Sequence, residues 1–254
     1  MDTQNLNQFQ SQGDSFGEPI EVQTVNTGVT SKTFVARVFS WMFAGLTTTG
    51  IIAYLFAASG LISILYNPVT HGMSVLGYVV MFAPFGLVLL MGGGFKRLSY
   101  PSMVLIFLIF SALMGISLSF IFLAYTAMSI FSIFLIAAGM FAVMAVLGYT
   151  TSTDLTRFGS LLYMLLFGVI IAMVVNFFMH SGTLSYVMSF LCVAIFTGLT
   201  AYDVQKLKQI GGQINGNGGE ATVGKMAIFG ALSLYLDFIN LFLALLQIFG
   251  ARKN

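Results

Sequence analysis

The amino-acid sequence predicts an all-α integral membrane protein with seven transmembrane helices, and three observations carry that reading. Of 254 residues, 58% are hydrophobic and only 7% are Asp, Glu, Lys or Arg, against about 25% charged in a typical soluble chain. The apolar residues gather into seven segments, each near the roughly 20 residues that cross a bilayer as a helix. Backbone groups in lipid must find their hydrogen bonds inside the segment, and barrel strands are only about ten residues long, so the segments are helices.

In chain order, residues 1–33 are rich in Gln, Asn, Ser, Thr and Gly. They bury too little apolar area to offset the entropy of ordering and read as a disordered polar tail. A cleavable signal needs a basic start followed at once by an apolar stretch, so the first hydrophobic segment is expected to stay in the mature protein. Residues 34–254 form one seven-helix transmembrane domain, with spans at Phe34 to Ser59, Met73 to Met91, Pro101 to Leu123, Ser129 to Leu147, Phe158 to Met179, Leu184 to Val204 and Met226 to Gly250. The connections are short and punctuated. They include a Pro/Gly stretch around Asn67, the triple glycine Gly92 to Gly94 before Lys96 and Arg97, a Thr/Ser run ending at Asp154, and a Gly/Asn-rich loop from Gly211 to Gly219. No internal repeat is visible.

With loops assigned alternately to the two sides, Lys32, Arg37, Lys96, Arg97, Arg157, Lys206, Lys208 and Lys225 share one side, and Arg252 and Lys253 take the other. The positive-inside rule places the amino terminus in the cytoplasm. The two terminal charges run against that rule. A seventh segment that dips in and returns would remove the conflict, but its length favours a full crossing.

Composition also excludes whole classes of function. A net charge of +2, with no basic stretch interleaved with aromatics, rules out nucleic acid as a partner; the lipid bilayer is the implied one. The lone Cys192 excludes an internal disulfide and any CxxC site. His71 and His180 lack a second His at metal spacing and read as solvated imidazoles, so no cofactor is expected. There is no GxSxG, Walker loop, HExxH or dinucleotide fingerprint, and the chain reads as a non-enzyme.

Six of the eight acidic residues lie in the tail or in polar loops. Asp237 instead stands near the middle of the last apolar run, where an ionised carboxylate costs at least about 2.5–3.5 kcal/mol, so it must face a cavity, find a partner or hold a proton. Asn240 is on the same helical face and within reach of it, though as a polar helix-packing residue it is equally well explained. Asp203 stands at the cytoplasmic end of the sixth segment. One reading is a surface ion pair with Lys206; against it, a negative charge near a helix carboxyl end opposes the macrodipole.

The stretch ALSLYLDFINLFL from Ala231 to Leu243 resembles the carboxyl-terminal signature of the Bax inhibitor family, the transmembrane Bax-inhibitor-motif proteins. Tyr202 with Asp203 is similar to that family's sixth-helix motif, and LGYTTSTDL from Leu147 to Leu155 occupies the place of its loop between helices four and five. The likeness runs over roughly residues 34–250 and is strongest after Leu147. It implies a bundle of six helices surrounding a central seventh, a calcium leak across the membrane, and pH gating by a pair of aspartates that match Asp203 and Asp237, with Tyr202 beside them. Some family members place an arginine at the cytoplasmic end of the second helix to latch the sixth-helix aspartate. Here that stretch is MGGGFKR, Gly92 stands in the arginine's place, and Arg97 or Lys96 is about a turn away.

Two buried carboxylates at hydrogen-bonding distance repel when both are ionised, so such a pair shares a proton and titrates as a unit. Losing that proton replaces attraction with repulsion and biases a packed two-state arrangement toward opening, so the leak is expected to rise with pH. Once ionised, Asp203 and Asp237 offer hard oxygen ligands to calcium, too few for storage but suited to a transient station. The pair meets only if the sixth helix continues past Lys206 or the seventh starts earlier. Three rival readings stand beside this one. A proton-coupled secondary transporter also uses a midplane acid, a non-transporting regulator would bind other membrane proteins, and an intramembrane aspartyl protease would need glycines where Leu234 and Leu236 stand. No retention or organelle signal is visible, which favours a bacterial plasma membrane over the alternative, the endoplasmic reticulum membrane.

Overall fold

A computed structural model describes residues 27–67, 72–214 and 219–253. The tail up to residue 26 and His71 lie outside the described residues. Seven helices are long and apolar enough to cross a membrane: α1 (Thr27–Ala58), α2 (Val75–Gly94), α3 (Tyr100–Leu118), α4 (Ala127–Thr150), α5 (Thr156–Met179), α6 (Gly182–Gln213) and α7 (Glu220–Phe249). Single helical turns at Ile62–Leu65 and Ile121–Ala124 and a two-residue strand pairing of Tyr66–Asn67 with Gly72–Met73 complete the described structure. The chain is an all-α, multi-pass membrane protein.

Helix starts follow local chemistry. Ser74, Ser99, Thr126 and Ser181 each accept a hydrogen bond from a backbone N–H in the first turn of α2, α3, α4 and α6, satisfying an amide that has no partner within the helix. Asp154 does the same work before α5, its Oδ1 accepting from Thr156 Oγ1 at 2.6 Å and Thr156 N at 2.9 Å. Those two donors hold the exposed Asp154 carboxyl below the usual carboxylate range. α5 ends at His180, which adopts a left-handed φ of 52°.

Three helices are longer than the hydropathy pattern implied: α1 begins at Thr27 rather than Phe34, α6 runs to Gln213 rather than Val204, and α7 begins at Glu220 rather than Met226. The extensions of α1 and α6 support each other: Ser31 Oγ donates to Lys208 O at 2.9 Å, and Gly211 lies flush against Ser31 and Phe34. Packing therefore continues both helices through sequence too polar to register as membrane span.

α7 is the most enclosed of the seven. It packs extensively on α1, α3, α4 and α6, whereas the principal partner of α2 is α3 and that of α5 is α6. At about 45 Å for 30 residues, α7 is one continuous crossing. At one end Lys225 Nζ donates to Phe95 O and Leu98 O in the α2–α3 connection, at 3.1 and 3.3 Å. At the other, Gly250 abuts the Tyr125 ring, and Thr126 N donates to Ala251 O at 3.0 Å. The seventh segment does not double back. The terminal charge that disturbed the topology has a local use, since Lys253 Nζ donates to Phe122 O at 2.7 Å.

Small residues let α6 approach its neighbours closely. A Cβ on Gly148 of α4 would collide with the backbone of Ala201, and one on Gly159 of α5 would enter the ring of Tyr202. These contacts flank Asp203 and fix α6 between α4 and α5.

Candidate functional site

Asp203 and Asp237 are both buried, at 4% and 6% exposure, on the packed pair α6 and α7. The helix extension explains Asp203: it lies ten residues before the end of α6 at Gln213, inside the stretch that packs on α7. Lys206 is exposed and lines the same cavity as Asp203, but the two make no salt bridge.

The Asp203 carboxylate is fully engaged. Its Oδ2 accepts from Ser233 Oγ at 2.5 Å and its Oδ1 accepts from Tyr163 OH at 3.3 Å. Ser233 is on α7 one helical turn before Asp237, so both side chains share a face toward α6. Thus the two carboxylates are not hydrogen-bonded to each other. Ser233 fills the place next to Asp203, and Asp237 sits one turn further along the same face of α7.

Asp237 is the outlier. Its Oδ2 is buried with no hydrogen-bond partner, and Thr197 Oγ1 on α6 is in the same condition. An unpartnered buried polar atom costs on the order of 1–3 kcal/mol, more where the group is charged. Asn240 does not relieve it, because Asn240 Nδ2 donates to Leu236 O of its own helix at 2.7 Å. The Leu236 carbonyl one turn back takes the amide, although Asn240 stands on the same face as Asp237.

The remaining expected residues fall as follows. Tyr202 is half-buried and packs edge-on to Tyr163, with ring centroids 6.1 Å apart and Lys206 Nζ 6.0 Å above its centroid. Its neighbour Tyr163, not Tyr202, reaches Asp203. Arg97 is exposed on the α2–α3 connection and makes no ion pair with a described residue. A Cβ on Gly92 would meet open space. No arginine latch engages Asp203 in this arrangement.

A cavity of about 330 Å³ opens between α6, α7 and the α2–α3 connection, lined by Phe95, Asp203, Lys206, Met226, Gly230 and Ser233 among others. Asp203 and Ser233 therefore line a space reached from the end of the bundle that carries Lys96, Arg97 and Lys225. Next to Asp203, the buried Gln205 clamps the α4–α5 loop: its Oε1 accepts from Leu155 N and its Nε2 donates to Thr153 O, both at 2.8 Å.

Sequence reasoning missed Ser233, Tyr163 and Gln205. Ser233 had a legible signal, its position one turn before a membrane-embedded acid; Tyr163 and Gln205 had none. Among the described residues no three His, Cys, Asp or Glu side chains gather as a metal site.

A family model described as Inhibitor of apoptosis-promoting Bax1 matches residues 31–254. The inner membrane protein YbhL of Escherichia coli is 42% identical over 222 residues, covering 87% of this chain and 93% of its own. An uncharacterized protein of Borreliella burgdorferi has the same identity and coverage. Protein RP147 of Rickettsia prowazekii is 37% identical over 241 residues, with 91% and 98% covered. The chain belongs to the Bax inhibitor family.

Proposed function

We propose that this protein is a pH-sensitive calcium leak of a bacterial plasma membrane, gated by protonation of Asp203 and Asp237, with its amino terminus in the cytoplasm. The observation that carries the reading is the buried, unpartnered Oδ2 of Asp237 beside an Asp203 whose oxygens are both occupied. The membrane assignment rests on YbhL being an inner membrane protein and on the side shared by Lys96, Arg97, Arg157, Lys206 and Lys225.

In the closed state one of the two carboxyls holds a proton, because both are buried and an apolar interior disfavours two anions. The groups that face it are Tyr163 from α5, Ser233 from α7, and Tyr202 and Lys206 from α6. When the proton leaves, repulsion acts between α6 and α7. Beyond Asp237, α7 buries Leu241, Phe242 and Leu245, so ion passage requires the two helices to part. Calcium enters through the cavity, exchanges part of its hydration for the carboxylates and moves on, since two acids fall short of the six to eight oxygens of a tight site. Protons and calcium are the small partners, and the reading needs neither an enzymatic step nor a resident cofactor.

The test is calcium efflux from liposomes containing only this protein, stepped in pH, for the native chain and for Asp203→Asn and Asp237→Asn. Efflux is expected to rise with pH in the native chain and to lose that dependence in both variants. Unchanged pH profiles in both would overturn the proposal. Absence of any flux from the purified protein would favour a regulator of other membrane proteins.

A further inference from the structure

A second cavity, of about 380 Å³, lies on the far side of α7 from the aspartates and is lined by Arg37, Trp41, Tyr100, Glu220, Ala221 and Gly224. It is framed by the first turns of α3 and α7 and by α1. That puts it at the membrane interface on the basic end, where Trp and Tyr concentrate.

The bland account of each residue is available. Arg37 is an interfacial cation, and Glu220 in the first turn of α7 complements the helix dipole. What those accounts leave out is convergence. Arg37 is half-buried and its guanidinium has no hydrogen bond or ion pair with any described residue, and Glu220 lines the same cavity equally unpaired. The neighbouring Lys225 is already committed to Phe95 O and Leu98 O, so it does not compete. Gly224 lets the Tyr100 ring pack directly on α7 at the cavity wall: a Cβ there would meet the ring at 2.7 Å.

A cation and an anion that line one pocket without touching are complementary to a ligand carrying both charges. Its volume is at the low end of the about 300–1,000 Å³ typical of ligand pockets. That is too small for a whole lipid and suited to a headgroup whose acyl chains stay in the bilayer. We propose that this cavity binds the headgroup of a phosphatidylethanolamine-type lipid, Arg37 taking the phosphate as a forked donor and Glu220 accepting from the ammonium, with Trp41 and Tyr100 against the glycerol region. Arginine suits the phosphate because its planar fork offers two parallel donors.

Native mass spectrometry of the full chain, purified in detergent and offered equal amounts of phosphatidylethanolamine and phosphatidylglycerol, tests this. The native protein is expected to retain one phosphatidylethanolamine in preference to phosphatidylglycerol. Arg37→Ala should weaken retention of both about tenfold, the scale of a lost charge-assisted hydrogen bond, and Arg37→Lys should restore part of it. Glu220→Gln, at an exposed position, should keep phosphate affinity and lose the preference between the two lipids. Equal retention by all variants, or a native preference for phosphatidylglycerol, overturns the assignment. So does displacement of the lipid by soluble phosphoethanolamine at the same concentration, which would mark a pocket for a small solute.

Discussion

The two faces of α7 treat buried polarity in opposite ways. On one, the fully buried Tyr235 hydroxyl lies 2.8 Å from Thr49 Oγ1 of α1, which itself donates to Ser111 O of α3 at 2.8 Å. Tyr235 is therefore the donor to Thr49, and the chain of hydrogen bonds is complete. Phe107 and Phe110 stand edge-on to the Tyr235 ring at 6.3 and 5.2 Å. On the other face, toward α6, Asp203 is satisfied by residues of two different helices while Asp237 keeps an oxygen without a partner. A completed buried network holds its helices in one arrangement, and an incomplete one leaves a cost that another arrangement can relieve. Under the proposed function, the contrast makes α1, α3 and α7 the static half and α6 and α7 the responsive seam.

The largest effect is expected at the seam: Asp237→Asn and Asp203→Asn each abolish the pH dependence of calcium efflux, leaving a flat profile in liposome assays. Next is Ser233→Ala, which removes a donor that favours the ionised Asp203. A hydrogen bond to a charged group is worth about 1.5–3 kcal/mol, and one pH unit corresponds to about 1.4 kcal/mol. The efflux midpoint should therefore move about one unit or more toward alkaline pH. On the static face, Tyr235→Phe should lower thermal or denaturant stability by about 1 kcal/mol and leave the pH profile of efflux in place. A shifted profile in that variant would erase the distinction between the faces.

The smallest effect is outside the membrane. The Asp154 carboxyl is held low by Thr156, so its folded value lies beneath its unfolded one. Its contribution is present above the unfolded value near pH 4 and is lost as pH falls through the folded one. The protection factor of the Thr156 amide against hydrogen exchange should fall as pH drops below about 4 in the native chain and be low at all pH in Asp154→Ala.

Much of this is legible in the sequence. Seven spans followed from length and hydropathy, and Asp237 stood out because a charge in lipid is expensive. What hydropathy could not mark was where helices continue in polar sequence. The last turns of α6, with Lys206, Lys208 and Gln209, are helical because they pack on α1 and α7, and that decides whether Asp203 is interfacial or buried. Nor could spacing choose the partners of Asp203. A serine or threonine in an apolar helix normally satisfies itself locally, as Ser111, Ser189 and Thr200 do on carbonyls one turn back. The crossing of α5, α6 and α7 makes Ser233 an exception and brings Tyr163 to the same carboxylate. Asn240 illustrates the reverse: it stands on the face of Asp237 and bonds its own backbone.

The most direct measurement is pH-difference infrared spectroscopy of the purified protein in lipid, following the carbonyl stretch of protonated carboxyl groups. The expected result is one such band in the closed state that vanishes as efflux rises, is lost in Asp237→Asn and Asp203→Asn, and persists in Tyr235→Phe. A band that survives in both aspartate variants, or one that titrates apart from efflux, would contradict a gate built on protons held between α6 and α7.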